Sequence, residues 1–185
     1  MTDSNIYPFA CVNEAGMNQE FKNPVTRKIA DFLKEIGIEV RSVNLDVPTF
    51  LPGILVENGT ILADESKLNY PGDLLHEAGH LAMAPASLRP SLSGEVTIPD
   101  VRMETVEIQT IAWSYAAMVH LGLDPKVVFH EGGYGVESER LLFNFRNGVY
   151  IGINGLVDAG LTVIGEKATA MGVPEYPHML KWLRD

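Results

Sequence analysis

Hydrophobic and polar positions along this 185-residue chain fall into two periodicities, one helical and one strand-like. Val25, Ile29, Phe32, Leu33 and Ile36 recur at spacings of three and four, a stripe that predicts an amphipathic helix. Asn23 followed by Pro24 supplies its N-cap and first-turn residue, and Gly37 its stop. Residues 38–45 are β-rich and read as a strand. Ile54-Leu-Val-Glu and Thr60-Ile-Leu-Ala then flank Asn58-Gly59, a pairing that predicts a hairpin because both turn residues tolerate positive φ. Residues 70–83 read as a short helix, with Pro71 in its first turn and Pro85 ending it. Asp100 is positioned to cap a second, longer helix that runs to about Leu121, where Gly122 and Pro125 stop it. Beyond this the pattern weakens: 127–129 and 149–153 read as extended, 137–146 as helical and 177–183 as a terminal helix. Residues before about Phe21 read as irregular. The order α-β-β-β-α-α plus a mixed tail predicts an α+β fold with a small, antiparallel-containing sheet.

Composition narrows the class. Hydrophobic residues make up 46% and charged residues 21%, the profile of a globular domain with a core of its own. Fourteen Lys plus Arg against 24 Asp plus Glu leave a net charge of −10, which argues against nucleic acid or an anionic membrane as partner. Cys11 is the single cysteine, so neither an intrachain disulfide nor a cysteine zinc cluster can form. Asp3, Glu14 and Glu20 interrupt the first twenty residues, and no signal peptide is expected there. The longest uncharged stretch, residues 108–123, is too short and polar to span a bilayer. The expectation is one soluble, cytoplasmic domain.

The candidate chemistry lies in His76-Glu77-Ala78-Gly79-His80. Two histidines at i and i+4 share a helix face and can meet one ion, while Glu77, about 100° around the axis, can reach a water held there. A catalytic zinc takes three protein ligands and keeps a fourth position open, so a third ligand must come from elsewhere. A metzincin-type extension is excluded, since Met83 and Ala86 stand where glycine and histidine are required. The second long helix carries Asp100, Glu104 and Glu107 along one face. Asp100 fits an N-cap. Glu107, at the start of the apolar Ile111-Ala-Trp-Ser-Tyr run, is the favoured ligand, with Glu104 as the alternative.

A hairpin, an HExxH helix and then a helix bearing a ligand glutamate are together similar to the gluzincin zinc metallopeptidases, and closest to the minimal, ImmA/IrrE-like ones. The likeness covers residues 54–115. Glu107-Ile-Gln-Thr-Ile-Ala-Trp113 resembles the family's E-x-x-A-x-x-F helix, with Thr110 and Trp113 where alanine and phenylalanine are usual. The resemblance implies a zincin-like packing of hairpin and helices, a Zn2+ held by His76, His80 and Glu107, and a peptide or protein substrate. It further implies hydrolysis of a peptide or amide bond, with Glu77 as general base on a zinc-bound water.

A further donor for the developing oxyanion is sought in Phe129-His-Glu-Gly-Gly-Tyr-Gly135, where His130 and Tyr134 are the candidates; an ordinary turn with surface side chains is the other reading. Asp73, on the His76 face, either orients an imidazole or stabilises the helix N-terminus. His120 and His178 read as peripheral, and Trp113, Tyr115, Met118 and Val119 as core. No glycine cluster forms a dinucleotide fingerprint. Residues 54–121 thus form the expected catalytic unit of a single domain, and 122–185 a mixed extension able to act as a lid. A zinc-holding regulatory module without turnover is the alternative function.

Overall fold

The computed structural model describes residues 20–94, 96–99 and 101–185. Asp100, Cys11 and the expected irregular stretch up to residue 19 lie outside the described residues. The chain is mixed α+β, with eight helices and one three-stranded sheet among the described residues. Helix α1 (Pro24–Glu35) begins where Asn23 accepts hydrogen bonds from the backbone N–H groups of Val25 and Thr26. It buries Ile29, Phe32 and Leu33.

Strands β1 (Val40–Ser42), β2 (Ile54–Glu57) and β3 (Thr60–Ala63) follow. The expected hairpin joins β2 to β3, with Ile54 opposite Ala63 and Glu57 opposite Thr60. Asn58 and Gly59 take positive φ (49° and 73°), the backbone twist that a two-residue hairpin demands. β1 pairs parallel to β3 on its other side, Val40 opposite Ile61, so the order is β1-β3-β2. Residues 92–94 line the outer edge of β2, with Gly94 N–H donating to Val56 O at 2.8 Å and Gly59 N–H to Leu92 O at 2.9 Å.

Helix α2 (Asp73–Met83) carries the HExxH sequence and buries Leu74, Leu75, Ala78, Leu81, Ala82 and Met83. Helix α3 (Met103–Leu121) packs along it. Because α3 is apolar on nearly every side, it sits in the middle of the molecule, where Trp113, Ala112, Ala116 and Ala117 have no exposed surface. Glu104 and Arg102 pair at 3.7 Å on the exposed first turn. The tail then runs α4 (Pro125–Val128), α5 (Glu131–Tyr134), α6 (Glu137–Arg146), α7 (Ile153–Asp158) and α8 (Gly165–Met171). Gly152 and Gly155 bring α7 close onto α3: a Cβ on Gly152 would lie 1.9 Å from Ile108 O, and one on Gly155 2.2 Å from Gln109 Nε2. No helix among the described residues is long and apolar enough to cross a membrane.

Four local expectations need correction. Residues 127–129 are not extended: Asp124 caps Lys126 N–H with Pro125 in the first turn, and α4 forms instead. Residues 149–152 are irregular and turn into α7, which begins at Ile153, and α8 was not anticipated. Residues 177–183 are not helical, because the backbone there is engaged by neighbours. The Leu180 and Lys181 N–H groups donate to Leu161 O (2.8 and 3.4 Å), and the Thr162 hydroxyl donates to His178 O (2.6 Å). Val119 is 43% exposed rather than core.

Asp64 fixes the exit from the hairpin. Its buried carboxylate accepts from Leu45 N–H (3.0 Å) and from the Ser66 backbone N–H and hydroxyl (3.1 and 2.6 Å), with Lys67 at 3.3 Å. Burial pushes its pKa up, but the Ser66, Leu45 and Lys67 interactions outweigh that and hold it below the ordinary aspartate value. A depressed folded-state pKa stabilises above the unfolded value and is lost as pH falls through the folded one. Asp64→Asn is therefore expected to cost about 2 kcal/mol at pH 7. Its gap to the wild type should close below about pH 4. Urea denaturation at pH 7 and pH 3 checks both.

Candidate metal centre

The HExxH spacing does on α2 what helix geometry requires: His76 and His80 point the same way, and their Nε2 atoms lie 3.2 Å apart. Glu107 on α3 faces both. Its Oε1 is 3.5 Å from His76 Nε2 and its Oε2 3.4 Å from His80 Nε2. The three residues offer ligand atoms all within 4.8 Å of one another, a group that could hold a metal ion. The Glu107 side chain is 40% exposed, so the group opens to solvent on that side. Between the two acidic candidates the geometry separates cleanly: Glu107 joins the histidines and Glu104 points into solvent beside Arg102.

The outward ring nitrogens are also engaged. His76 Nδ1 lies 3.0 Å from Tyr134 Oη, and His80 Nδ1 lies 3.3 Å from Thr110 Oγ1. When both Nε2 lone pairs face the centre, both Nδ1 atoms carry protons, and each has a hydroxyl oxygen to receive it. Thr110 was not singled out by sequence reasoning as a site residue. The available signal was its place three residues after Glu107, on the same helix face, at a position where the resembling family has alanine.

Electrostatics follow from burial. Desolvation lowers the His76 pKa to about 4, against the pull of Glu107, with His80 and His130 adding to the drop. The ring is therefore neutral at pH 7, as a metal ligand must be. Burial pushes Glu107 up, but the His80 hydrogen bond and the attraction of both imidazoles outweigh it and leave it low. Glu77, beside His76, is raised by burial and further by Glu107 and Asp73, with His80 opposing. Tyr134 is pushed up by burial and by the Glu107 and Asp73 charges, so its phenol keeps its proton.

His130 and Tyr134 occupy a helical turn, α5, rather than an open loop. Tyr134 reaches the centre through His76. His130 does not point into it: its Nε2 is 2.8 Å from Asp73 Oδ1, and its Nδ1 accepts Gly133 N–H at 3.0 Å. With one nitrogen accepting and the other donating to Asp73, His130 has no N–H left for an oxyanion, and the expected role is corrected on that ground. Asp73 likewise partners His130, not a ligand imidazole. His120 packs tilted against Phe32 and edge-on to Trp182, away from the site, and His178 is exposed.

Comparison of the chain with protein-family models, curated proteins and solved structures finds no match.

Gly79 sets the distance between the two helices at the centre. A Cβ there would lie 2.9 Å from Thr110 Cγ2 and 3.2 Å from Thr110 O. Gly79→Ala gains roughly 1 kcal/mol of helix propensity but overpacks the crossing by about 1–3 kcal/mol. A lower melting temperature is expected, together with weaker protection by an added divalent metal ion. Adding Thr110→Ser, which removes Cγ2 and keeps the hydroxyl, should recover much of both. Equal effects of Gly79→Ala in the two backgrounds would rule out this contact as the cause.

Proposed function

We propose that this chain is a zinc-dependent hydrolase of peptide or amide bonds with a zincin-like arrangement of hairpin, HExxH helix and glutamate helix. The observation that carries the proposal is the convergence of two imidazole Nε2 atoms and one carboxylate with both Nδ1 atoms backed by hydroxyls. Two nitrogen donors and one oxygen donor, with one side open, form the ligand set of a catalytic zinc rather than of a closed structural site. Among the described residues no fourth histidine or carboxylate joins the group.

A zinc ion held by His76, His80 and Glu107 would supply polarisation of a substrate carbonyl and a water made acidic near neutral pH. Glu77 supplies the base. It is adjacent to His76 but directed differently, and its raised proton affinity suits a carboxylate that must accept a proton during the reaction. A cation held at His76, His80 and Glu107 would draw that affinity back toward the ionised form a base needs. Tyr134 supplies a donor. When His76 Nδ1–H donates to its oxygen, the phenolic proton is free for the oxyanion that develops on the substrate. Glu107 completes the metal ligands and offsets one of the cation's charges.

The test separates holding the metal from using it. Protein purified without chelators is expected to contain about one zinc per chain, and His80→Ala to lose it. Glu77→Gln should retain the zinc while hydrolysis of a peptide library falls at least ~100-fold. Unchanged turnover in that variant would exclude Glu77 as base. Stoichiometric zinc without any turnover in the wild type would reassign the chain as a zinc-holding regulatory or interaction module.

A further inference from the structure

The segment Phe129-His-Glu-Gly-Gly-Tyr-Gly135 contributes no metal ligand, yet it lies against the centre. We infer that Asp73, His130 and α5 form a bracket that holds the Tyr134 hydroxyl on His76, making His130 a positioning residue that acts on the metal centre through Tyr134. The inference rests on the metal reading only for its consequence, an altered metal affinity; the bracket itself is a matter of protein contacts.

The geometry is that of two single helical turns joined at both ends. On α2, Asp73 and His76 are three residues apart; on the other segment His130 and Tyr134 are four apart. His130 Nε2–H meets Asp73 Oδ1 at one end (2.8 Å), and Tyr134 Oη meets His76 Nδ1 at the other (3.0 Å). The tautomer of His130 is fixed by its surroundings. Its Nδ1 accepts Gly133 N–H, which leaves the proton on Nε2, aimed at Asp73. A single side chain thus caps the turn that ends at Tyr134 and anchors that turn to the first residue of α2.

Packing closes the remaining freedom. The Tyr70 ring stacks on His130 with centroids 3.6 Å apart and planes 8° from parallel. The glycine pair is what lets the turn fold down over these rings. A Cβ on Gly132 would lie 2.4 Å from Tyr70 Cε2, and one on Gly133 3.1 Å from His130 Cε1. Tyr70, Asp73, His130, Gly132, Gly133 and Tyr134 then have one shared explanation. Each is needed to bring one hydroxyl to one imidazole nitrogen. Groups that orient a metal-ligating histidine in this way typically change metal affinity 10–100-fold when removed.

The experiment has a metal-free and a metal-dependent arm. In metal-free protein, NOEs between the Tyr134 and His76 rings should be present in the wild type, persist in Tyr134→Phe and vanish in His130→Ala. Co2+ affinity, measured by competition with a chelator, should fall about 10-fold in Tyr134→Phe and similarly in His130→Ala. The double variant should be no worse than either single one. NOEs that persist in His130→Ala, or losses that multiply in the double variant, would overturn the bracket. A wild type that binds no metal but loses its NOEs in His130→Ala removes the metal reading and leaves the bracket standing. If His130→Ala does not fold, Asp73→Asn is read instead, since it replaces a charge-assisted bond by a neutral one roughly half as strong. A several-fold loss of affinity that disappears in the Tyr134→Phe background supports the bracket, and one that persists there overturns it.

Discussion

The close crossing of α2 and α3 at Gly79 and Thr110 is the constraint on which the rest of this structure depends. Glu107, Thr110 and Ser114 fall at i, i+3 and i+7 on α3 and all face α2. Glu107 reaches both histidines, Thr110 reaches His80, and the Ser114 hydroxyl donates to Leu75 O at 3.2 Å. This polar row is buried at Thr110 and Ser114, where an unpaired hydroxyl would be costly, so each bond also fixes the register of one helix on the other. Any side chain larger than hydrogen at position 79 would separate the helices at the level where the ligands converge. The apolar remainder of α3, centred on Trp113, supplies the burial that keeps them together.

The same closeness concentrates charge. Glu107 and Asp73 both raise the proton affinity of Glu77, and burial acts on all three. Such a group of carboxylates is tolerable only with compensation. Asp73 receives it from His130, an internal partner that needs no ion. Among the described residues Glu77 has no comparable partner: burial raises its proton affinity, and His80 opposes the rise only in part. A divalent cation between His76, His80 and Glu107 is the compensation that the proposed function supplies. On that reading, part of the net charge of −10 belongs to the site rather than to a solvated surface.

How much of this was legible in the sequence depended on whether the signal was local. The Asn23 cap, the Asn58-Gly59 turn and the His76/His80 spacing are local, and all appear as expected. Glu107 was legible as the acidic member nearest the apolar run; its neighbour Glu104 was not separable from it until α3 was seen to expose that turn. The sequence row 100-104-107 drew attention because it is acidic, whereas the row that faces α2 is 107-110-114, two-thirds of it hydroxyl. Hydroxyls carry no charge signature, so Thr110 and Ser114 read as ordinary helix residues. The tail was least legible because its backbone is satisfied at long range. Residues 177–183 carry helix-like apolar spacing, but Leu161 and Thr162, about 20 residues earlier, take the hydrogen bonds a helix would use.

That long-range dependence changes the role of residues 122–185. A catalytic unit of residues 54–121 with a lid laid over it implies a tail that can leave without disturbing α2. The contacts run otherwise. At its first turn α2 is joined to the tail by Asp73 and His130. At its last turn, Arg89 donates to Leu81 O, Ala84 O and Arg184 O, so one guanidinium caps the exposed carbonyls of α2 and fastens the C-terminal segment to them. Trp182 closes over Trp113 and Phe32 between these points. The tail therefore grips both ends of the helix that carries His76, Glu77 and His80. A segment fastened in this way shares in setting the orientation of α2, and with it the orientation of the site.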